Sequence, residues 1–317
     1  MGRSPCRIWV SDSGVTASGT RTPAAPTFTA ERDAVQRALD AFCVRWLSDV
    51  SPRTAEAVRY SLLGEGKRLR GILLLEAYRA CGGTGDAHEL AASVEVVHAY
   101  SLVHDDLPCM DDDDVRRGRP TVHRVYGVSI ATAAGLAMVP LAARSAWHAA
   151  RSLGLSNDET AHVVRDLMVA SGAGGMIGGQ LLDLEAEGVP LTLEALERVH
   201  RLKTGALITA SVVLGARAAR ASSARRDALA RYGAAIGLAF QIADDVLDVT
   251  STTDELGKTA GRDLALQKST YPALLGIEGA IERAVALVED GCVALAEEGL
   301  LTSTLEQLAR FIVERRS

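Results

Sequence analysis

His104-Asp105-Asp106-Leu107-Pro108-Cys109-Met110-Asp111-Asp112-Asp113-Asp114 is followed directly by Val115-Arg116-Arg117-Gly118-Arg119. Six carboxylates sit within a few residues and repel one another unless cations join them. A hard divalent cation, usually Mg²⁺, relieves that repulsion; it takes one or two carboxylates and completes its shell with water and substrate phosphate. The arginines that follow offer bidentate recognition of phosphate. The stretch reads as a site for a metal-chelated phosphorylated substrate, with a solvated acidic loop as the alternative.

The residues before this stretch form a helix. From about Ala87 to Asp106, Leu90, Val94, Val97, Ser101 and Val103 fall largely on one side. Asp105 and Asp106 close that helix and Pro108 breaks it. On a straight helix Asp105 and Asp111 would face different ways, so the bend is what lets both reach one ion.

A second acidic pattern lies far downstream. The helix Arg225 to Val249 ends in Phe240-Gln241-Ile242-Ala243-Asp244-Asp245-Val246-Leu247-Asp248. Asp244 and Asp248 share a face, and like charges at that spacing destabilise a helix unless something positive sits between them. Two acidic helix ends facing each other across a central cavity would form one shared metal site.

The remaining pattern is helical as well. Val35, Leu39, Phe42 and Trp46 recur at helical spacing, and Ser51-Pro52 starts a second helix. Thr121 to Leu153 reads as a long Ala-rich stretch interrupted at Pro140. Ser156 is set to cap a helix over 157–172. Gly172 to Gln180 is glycine-dense and fits close helix approach better than a phosphate loop. Glu194 to Leu214 carries Lys203-Thr204-Gly205 in its middle, which predicts a local kink. No run of alternating strands stands out, so the fold class is an all-α helical bundle.

Composition agrees. The chain is 48% hydrophobic and only 4% aromatic, which suits close-packed helices. A net charge of −6 argues against a nucleic-acid partner, which would want a basic face. The cysteines Cys6, Cys43, Cys81, Cys109 and Cys292 are scattered and form no Cys-x-x-Cys pair, as in a reduced, cytoplasmic protein. Val128 to Ala143 is uncharged but shorter than the ~20 residues of a membrane span, and reads as a buried core helix. Residues 1–29 read as a disordered N-terminal arm, with 30–317 as one catalytic domain. Arg3, Arg7 and Arg21 suggest a transit peptide; Asp12 and the lack of an amphipathic run favour a plain extension.

Asp105-Asp106-x-x-x-x-Asp111 with Arg116-Arg117, together with Asp244-Asp245-x-x-Asp248, resembles the trans-polyprenyl diphosphate synthases, most nearly the bacterial farnesyl diphosphate synthase type. The likeness runs from about Arg59 to the C-terminus. It takes in Gly66-Lys67-Arg68-Leu69-Arg70, His98-Ala99-Tyr100-Ser101, Gly178-Gly179-Gln180, Lys203-Thr204-Gly205, Phe240-Gln241 and Lys268-Ser269-Thr270-Tyr271-Pro272. The resemblance implies an isoprenoid-synthase helical bundle and a Mg²⁺-dependent condensation of an allylic diphosphate with isopentenyl diphosphate. Two or three Mg²⁺ ions are expected, with Mn²⁺ as a substitute, and a homodimer. It implies metal ligation by Asp105, Asp106, Asp111, Asp244, Asp245 and Asp248. It places Arg116, Lys203 and Lys258 on the leaving pyrophosphate. Lys67, Arg70, His98 and Arg117 would hold isopentenyl diphosphate, and Thr204 and Gln241 would stand beside the allylic cation. Tyr100 and Ser101, below Asp105, would set product length, with a C15 product implied and geranyl or geranylgeranyl diphosphate as alternatives.

The chain departs from the family at two points. Gly135-Leu136-Ala137-Met138 stands where Gly-Asp-x-Leu is common, and Gly71 where a proline is usual. A non-catalytic regulatory subunit would carry eroded aspartate motifs, whereas both motifs are whole here. A terpene cyclase would not need both basic clusters. A calcium-binding loop would need a glycine and a terminal glutamate that the acidic run lacks.

Overall fold

The computed structural model describes residues 28–250 and 268–314. The arm expected over residues 1–29 lies almost wholly outside them, as does Lys258. The bundle begins with α1 (Thr29–Trp46), then α2 (Pro52–Leu62), α3 (Leu69–Ala80) and α4 (His88–Asp105). After the acidic loop come a two-stranded ribbon, β1 (Val115–Arg116) and β2 (Arg119–Pro120), and helices α5 (Val122–Tyr126) and α6 (Val128–Ser152). Next are α7 (Asn157–Ser171), α8 (Met176–Glu185), α9 (Leu193–His200), a π-helical turn over Arg201–Gly205, α10 (Ala206–Ala218) and α11 (Ser223–Thr250). The last two are α12 (Tyr271–Glu297), broken at Gly276, and α13 (Ser303–Glu314).

Helix α4 is the axis of the bundle. Leu90, Ala91, Ala92, Val94, Val96 and Val97 are fully buried on it, so apolar surface faces inward on nearly every side. A helix apolar all round can only be a core helix. It packs on α6, α1 and α3, while α10 packs on α3 and α11, and α11 on α12. The Ser156 cap is present in full. The Glu159 N–H donates to Ser156 Oγ at 3.2 Å, and the Ser156 N–H donates to Glu159 Oε2 at 2.7 Å.

Three expectations need correction. The long Ala-rich stretch is interrupted at Gly127 and not at Pro140. Gly127 has φ 87, which divides α5 from α6, and Pro140 sits inside α6 on its exposed side. There, water can satisfy the carbonyl that a proline leaves without a donor. Helix α6 also runs on to Ser152, so at 25 residues it is long and apolar enough to cross a membrane. Its fully buried Ala131, Ala134, Met138, Ala142 and Ala146 belong to the bundle core. Finally, β1 and β2 pair antiparallel with Val115 opposite Pro120 and Arg116 opposite Arg119. Arg117 (φ 53) and Gly118 (φ 70) form the two-residue turn, both left-handed as such hairpins require. Two residues per strand are too few for any alternation to be visible in the sequence.

Candidate active site

Helices α3, α4, α8, α9 and α11 and the π-helical turn converge on a cavity of about 1160 Å³. Its acidic wall carries residues of both aspartate motifs. Beyond α4 the chain turns back at Pro108, and the Asp111 N–H donates to the Asp105 carbonyl at 2.8 Å. Asp105 and Asp111 therefore reach the same space. From the end of α11, Asp244, Asp245 and Asp248 line that cavity too. The two acidic motifs, 133 residues apart from Asp111 to Asp244, meet in one site.

Burial raises the Asp105 carboxyl to about 6, against the pull of Lys203 and with the push of Asp111. Withdrawal from water is the main cause. Among the described residues, no three His, Cys, Asp or Glu side chains converge closely enough to cage a metal by themselves.

Asp106 has a different employment. It does not line the cavity; buried to 3% exposure, it accepts from Arg116 Nε at 2.7 Å and pairs with Arg116 Nη2 at 2.6 Å. Burial lowers the Arg116 guanidinium, but Asp106 more than offsets this and holds it charged. Asp106 thus aims Arg116 into the site. Asp245 is similarly engaged: it accepts from the Tyr271 N–H at 3.1 Å and from Gln241 Nε2 at 3.3 Å, and lies 3.3 Å from His200 Nε2.

A basic pocket adjoins the acidic wall. Lys67, Arg70, His98, Arg116 and Arg117 all line the cavity. Arg68 makes this possible. Its φ of 51 turns the chain between α2 and α3, and its buried guanidinium binds Gln36 Oε1 at 2.7 Å and the Leu62 carbonyl at 2.9 Å. Arg70 is lowered to about 10 by burial, partly offset by Glu95, and further by Arg117. His98 is held well below its ordinary range by burial and then by Arg70 and Arg117, so it is a neutral imidazole. Glu95 is the counterion at the back, and it accepts the Gly71 N–H at 2.8 Å. A proline at position 71 would have no such N–H, and a Cβ there would meet Val35 at 2.8 Å. The pocket is rich in cations and has one buried carboxylate, which suits a polyanionic ligand. Lys67 stands over the Phe311 ring at 5.8 Å, so α13 closes the rim.

The expected kink is the π-helical turn Arg201–Gly205, a distortion frequent at functional sites. It delivers Lys203 and Thr204 to the cavity, and Thr204 Oγ1 donates to Gln241 Oε1 at 2.9 Å. The glycine-dense segment does serve close approach: a Cβ on Gly179 would lie 2.1 Å from the Lys203 backbone nitrogen. Helix α8 therefore presses directly on the turn.

Of the two residues expected to set product length, Ser101 lines the cavity and Tyr100 does not. Tyr100 is 4% exposed, donates its hydroxyl to the Ser171 carbonyl at 3.1 Å and packs edge-on against His104 at 5.9 Å. Leu136 is 62% exposed on the outer side of α6, away from the cavity. Two cavity residues were given no role from the sequence: Asp183 was not singled out, and Gln180 was quoted only as part of Gly178-Gly179-Gln180. Asp183 on α8 pairs with Lys203 and Lys268. Gln180, one turn earlier, is 6% exposed, and neither amide atom has a partner among the described residues. The spacing Gln180-x-x-Asp183 was the available signal, but it carries meaning only once α8 is placed on the turn.

Residues 51–290 match the family described as Polyprenyl synthetase, and the chain belongs to that family of prenyl-transferring enzymes. It is 48% identical to the farnesyl diphosphate synthase of Escherichia coli (strain K12) over 265 residues, covering 82% of this chain and 88% of that protein. Among solved structures it superposes on an FPP/GFPP synthase from Zymomonas mobilis with a TM-score of 0.77 at 35% identity, covering 90% of this chain and 98% of the other. It also matches a geranyltransferase from Helicobacter pylori complexed with magnesium and isoprenyl diphosphate, with a TM-score of 0.73 at 30% identity over 93% of this chain and 98% of that one. The architecture is the isoprenoid-synthase helical bundle, and the family is magnesium-dependent.

Proposed function

We propose that this chain condenses dimethylallyl or geranyl diphosphate with isopentenyl diphosphate, releases pyrophosphate and yields farnesyl diphosphate. The observation that carries this reading is the convergence of both acidic motifs on one cavity that also holds the Lys67–Arg70 pocket and the Thr204–Gln241 pair. A carboxylate set, a cation set and an uncharged polar pair in one cavity support a reaction between two diphosphates.

The allylic diphosphate lies against Asp105, Asp111 and Asp244, and isopentenyl diphosphate against Lys67, Arg70, His98 and Arg117. Bound Mg²⁺ supplies Lewis-acid neutralisation of the leaving pyrophosphate. Arg116 and Lys203 add fixed positive charge where negative charge grows as the C–O bond breaks. Lys258 is proposed for the same role on sequence grounds. The C–O pair leaves with pyrophosphate. The Thr204 and Gln241 oxygens present dipoles to the allylic cation, and their neutrality keeps them from capturing it. The isopentenyl double bond attacks the cation, a carbon–carbon bond forms, and a proton is lost to the released pyrophosphate. No side-chain base is assigned. Tyr100 and Ser101 limit how far the product tail extends.

Two or three Mg²⁺ ions serve the reaction, Mn²⁺ substitutes, and the enzyme is cytoplasmic. It acts as a homodimer; support comes from the outer side of α6, where Val128, Leu136 and Trp147 are about half exposed or more. Light scattering behind size exclusion should give twice the chain mass. The decisive assay supplies isopentenyl diphosphate, Mg²⁺ and each allylic diphosphate in turn, and reads product length by chromatography. A C15 product from both substrates is expected. A C10 or C20 end product would replace the chain-length assignment, and no prenyl transfer at all would overturn the reading.

A further inference from the structure

Asp183 is the one acidic group on α8 that lines the cavity, and nothing in the reaction as derived above uses it. Its Oδ2 accepts from Lys203 Nζ at 2.6 Å and from Lys268 Nζ at 2.9 Å. The two ammonium groups arrive from different places, one from the π-helical turn and one from the segment ahead of α12, and both stop on the same oxygen. Lys268 Nζ also lies 3.8 Å from Glu187 Oε1. All three side chains are largely withdrawn from water: Lys203 is 27% exposed, Asp183 17% and Lys268 13%.

Two ammonium groups held side by side in such a place repel strongly, because little solvent screens them. Without the shared carboxylate they would separate. With it, they enter the cavity as a pair, and a pair suits the oxygens of a departing pyrophosphate better than either cation alone. The carboxylate is itself well prepared for this role. Burial raises its carboxyl, but Lys203 and Lys268 more than offset that and bring it down to about 2, so it stays ionised.

We propose that Asp183 is a positioning residue for pyrophosphate departure: it gathers Lys203 and Lys268 on one oxygen so that both cations meet the leaving group together. This rests on the diphosphate chemistry assigned to the cavity above. Asp183 takes no proton and makes no bond to substrate; the C–O electron pair leaves with pyrophosphate, and the two lysines receive the new charge. A purely structural role, tying α8 to the start of α12, would have the same hydrogen bonds but different consequences.

The test uses the full chain with Mg²⁺ and the variants Asp183→Asn, Asp183→Glu and Lys268→Gln. Misplaced cations should lower kcat by up to about a hundredfold, with KM for isopentenyl diphosphate unchanged. Pyrophosphate should inhibit less, by about tenfold, and calorimetry with Mg²⁺ and pyrophosphate should show the same weakening. Asp183→Glu should recover part of the loss. Asp183→Asn and Lys268→Gln should each resemble the variant that combines the two changes, made alongside them, because they remove one shared arrangement. The proposal is overturned if Asp183→Asn keeps wild-type kcat and pyrophosphate affinity, or if its loss equals the unfolded fraction seen by circular dichroism. If Asp183→Asn fails to fold, Lys268→Gln decides by the same criteria. Should the wild type transfer no prenyl group, the reading of the reaction fails, and pyrophosphate calorimetry on the variants still decides whether Asp183 assembles an anion site.

Discussion

Replacing Tyr100 by alanine should lengthen the product and leave the enzyme folded. The ring is 4% exposed and wedged between His104 and the end of α7. Removing a buried aromatic side chain costs roughly 3–5 kcal/mol. Loss of the hydroxyl leaves the Ser171 carbonyl without its donor, which adds about 1 kcal/mol. Against a total stability on the order of 5–15 kcal/mol, a typical domain survives this. Its melting temperature should fall by roughly 8–24 °C. Tyr100 neighbours Ser101, a residue of the cavity wall, on α4, so space opened there should let the growing tail gain at least one isoprene unit. Tyr100→Phe separates bulk from hydrogen bonding: it keeps the ring and loses only the bond to Ser171. Burial, and then Asp105, raise the phenol to about 12, so the hydroxyl stays a neutral donor at any working pH and ionisation does not confuse the comparison. Products would be dephosphorylated and separated by reversed-phase chromatography, with folding checked by circular dichroism. A folded alanine variant that makes the wild-type product would refute the argument. So would a phenylalanine variant that lengthens the product as much as alanine does.

Two further outcomes follow from the site. Asp105 is raised from 3.8 to about 6 in the metal-free protein, so the folded state holds its proton more tightly than the unfolded chain. Its stabilising contribution is full below about pH 4 and gone as pH rises past about 6. Mg²⁺ with pyrophosphate should therefore raise the melting temperature more at pH 7.5 than at pH 5, as scanning calorimetry would record; an equal rise at both would contradict the assignment of Asp105. Gly179→Ala should also be damaging, since its Cβ would meet the Lys203 backbone and neither helix can yield like a flexible side chain. A stability loss of about 1–3 kcal/mol in urea titration, with a fall in kcat through the displaced lysine, is expected. Unchanged kcat would mean that the turn is not held by α8.

The helical class was legible because the chain offers apolar spacing of three and four and no alternation, and because α4 is apolar on nearly every side. The bend at Pro108 was legible too, and with it the reason that Asp105 and Asp111 share a space. The bend itself depends on a hydrogen bond that no spacing rule gives, from the Asp111 N–H to the Asp105 carbonyl. The interruption at Gly127 was misplaced onto Pro140 because proline is the stronger local signal, while an exposed proline is tolerated within a helix that the core holds on its other side. Asp106 and Asp245 look identical in sequence to the aspartates beside them. Their difference lies in partners brought by other elements, Arg116 from the ribbon and Tyr271 from α12. Asp183 was missed for the same reason, since its meaning comes from Lys203 and Lys268, 20 and 85 residues away.

The claim beneath all of this is that the two acidic motifs act on one ligand. Mn²⁺ binding in the presence of pyrophosphate, followed by electron paramagnetic resonance on wild type, Asp105→Asn, Asp244→Asn and the double variant, tests it most directly. Shared use of one metal–diphosphate cluster predicts that either single change removes most of the pyrophosphate-dependent binding and that the second adds little. Two losses that simply add, each leaving the other motif's ions in place, would mean that the motifs hold separate ions and that the shared site does not exist.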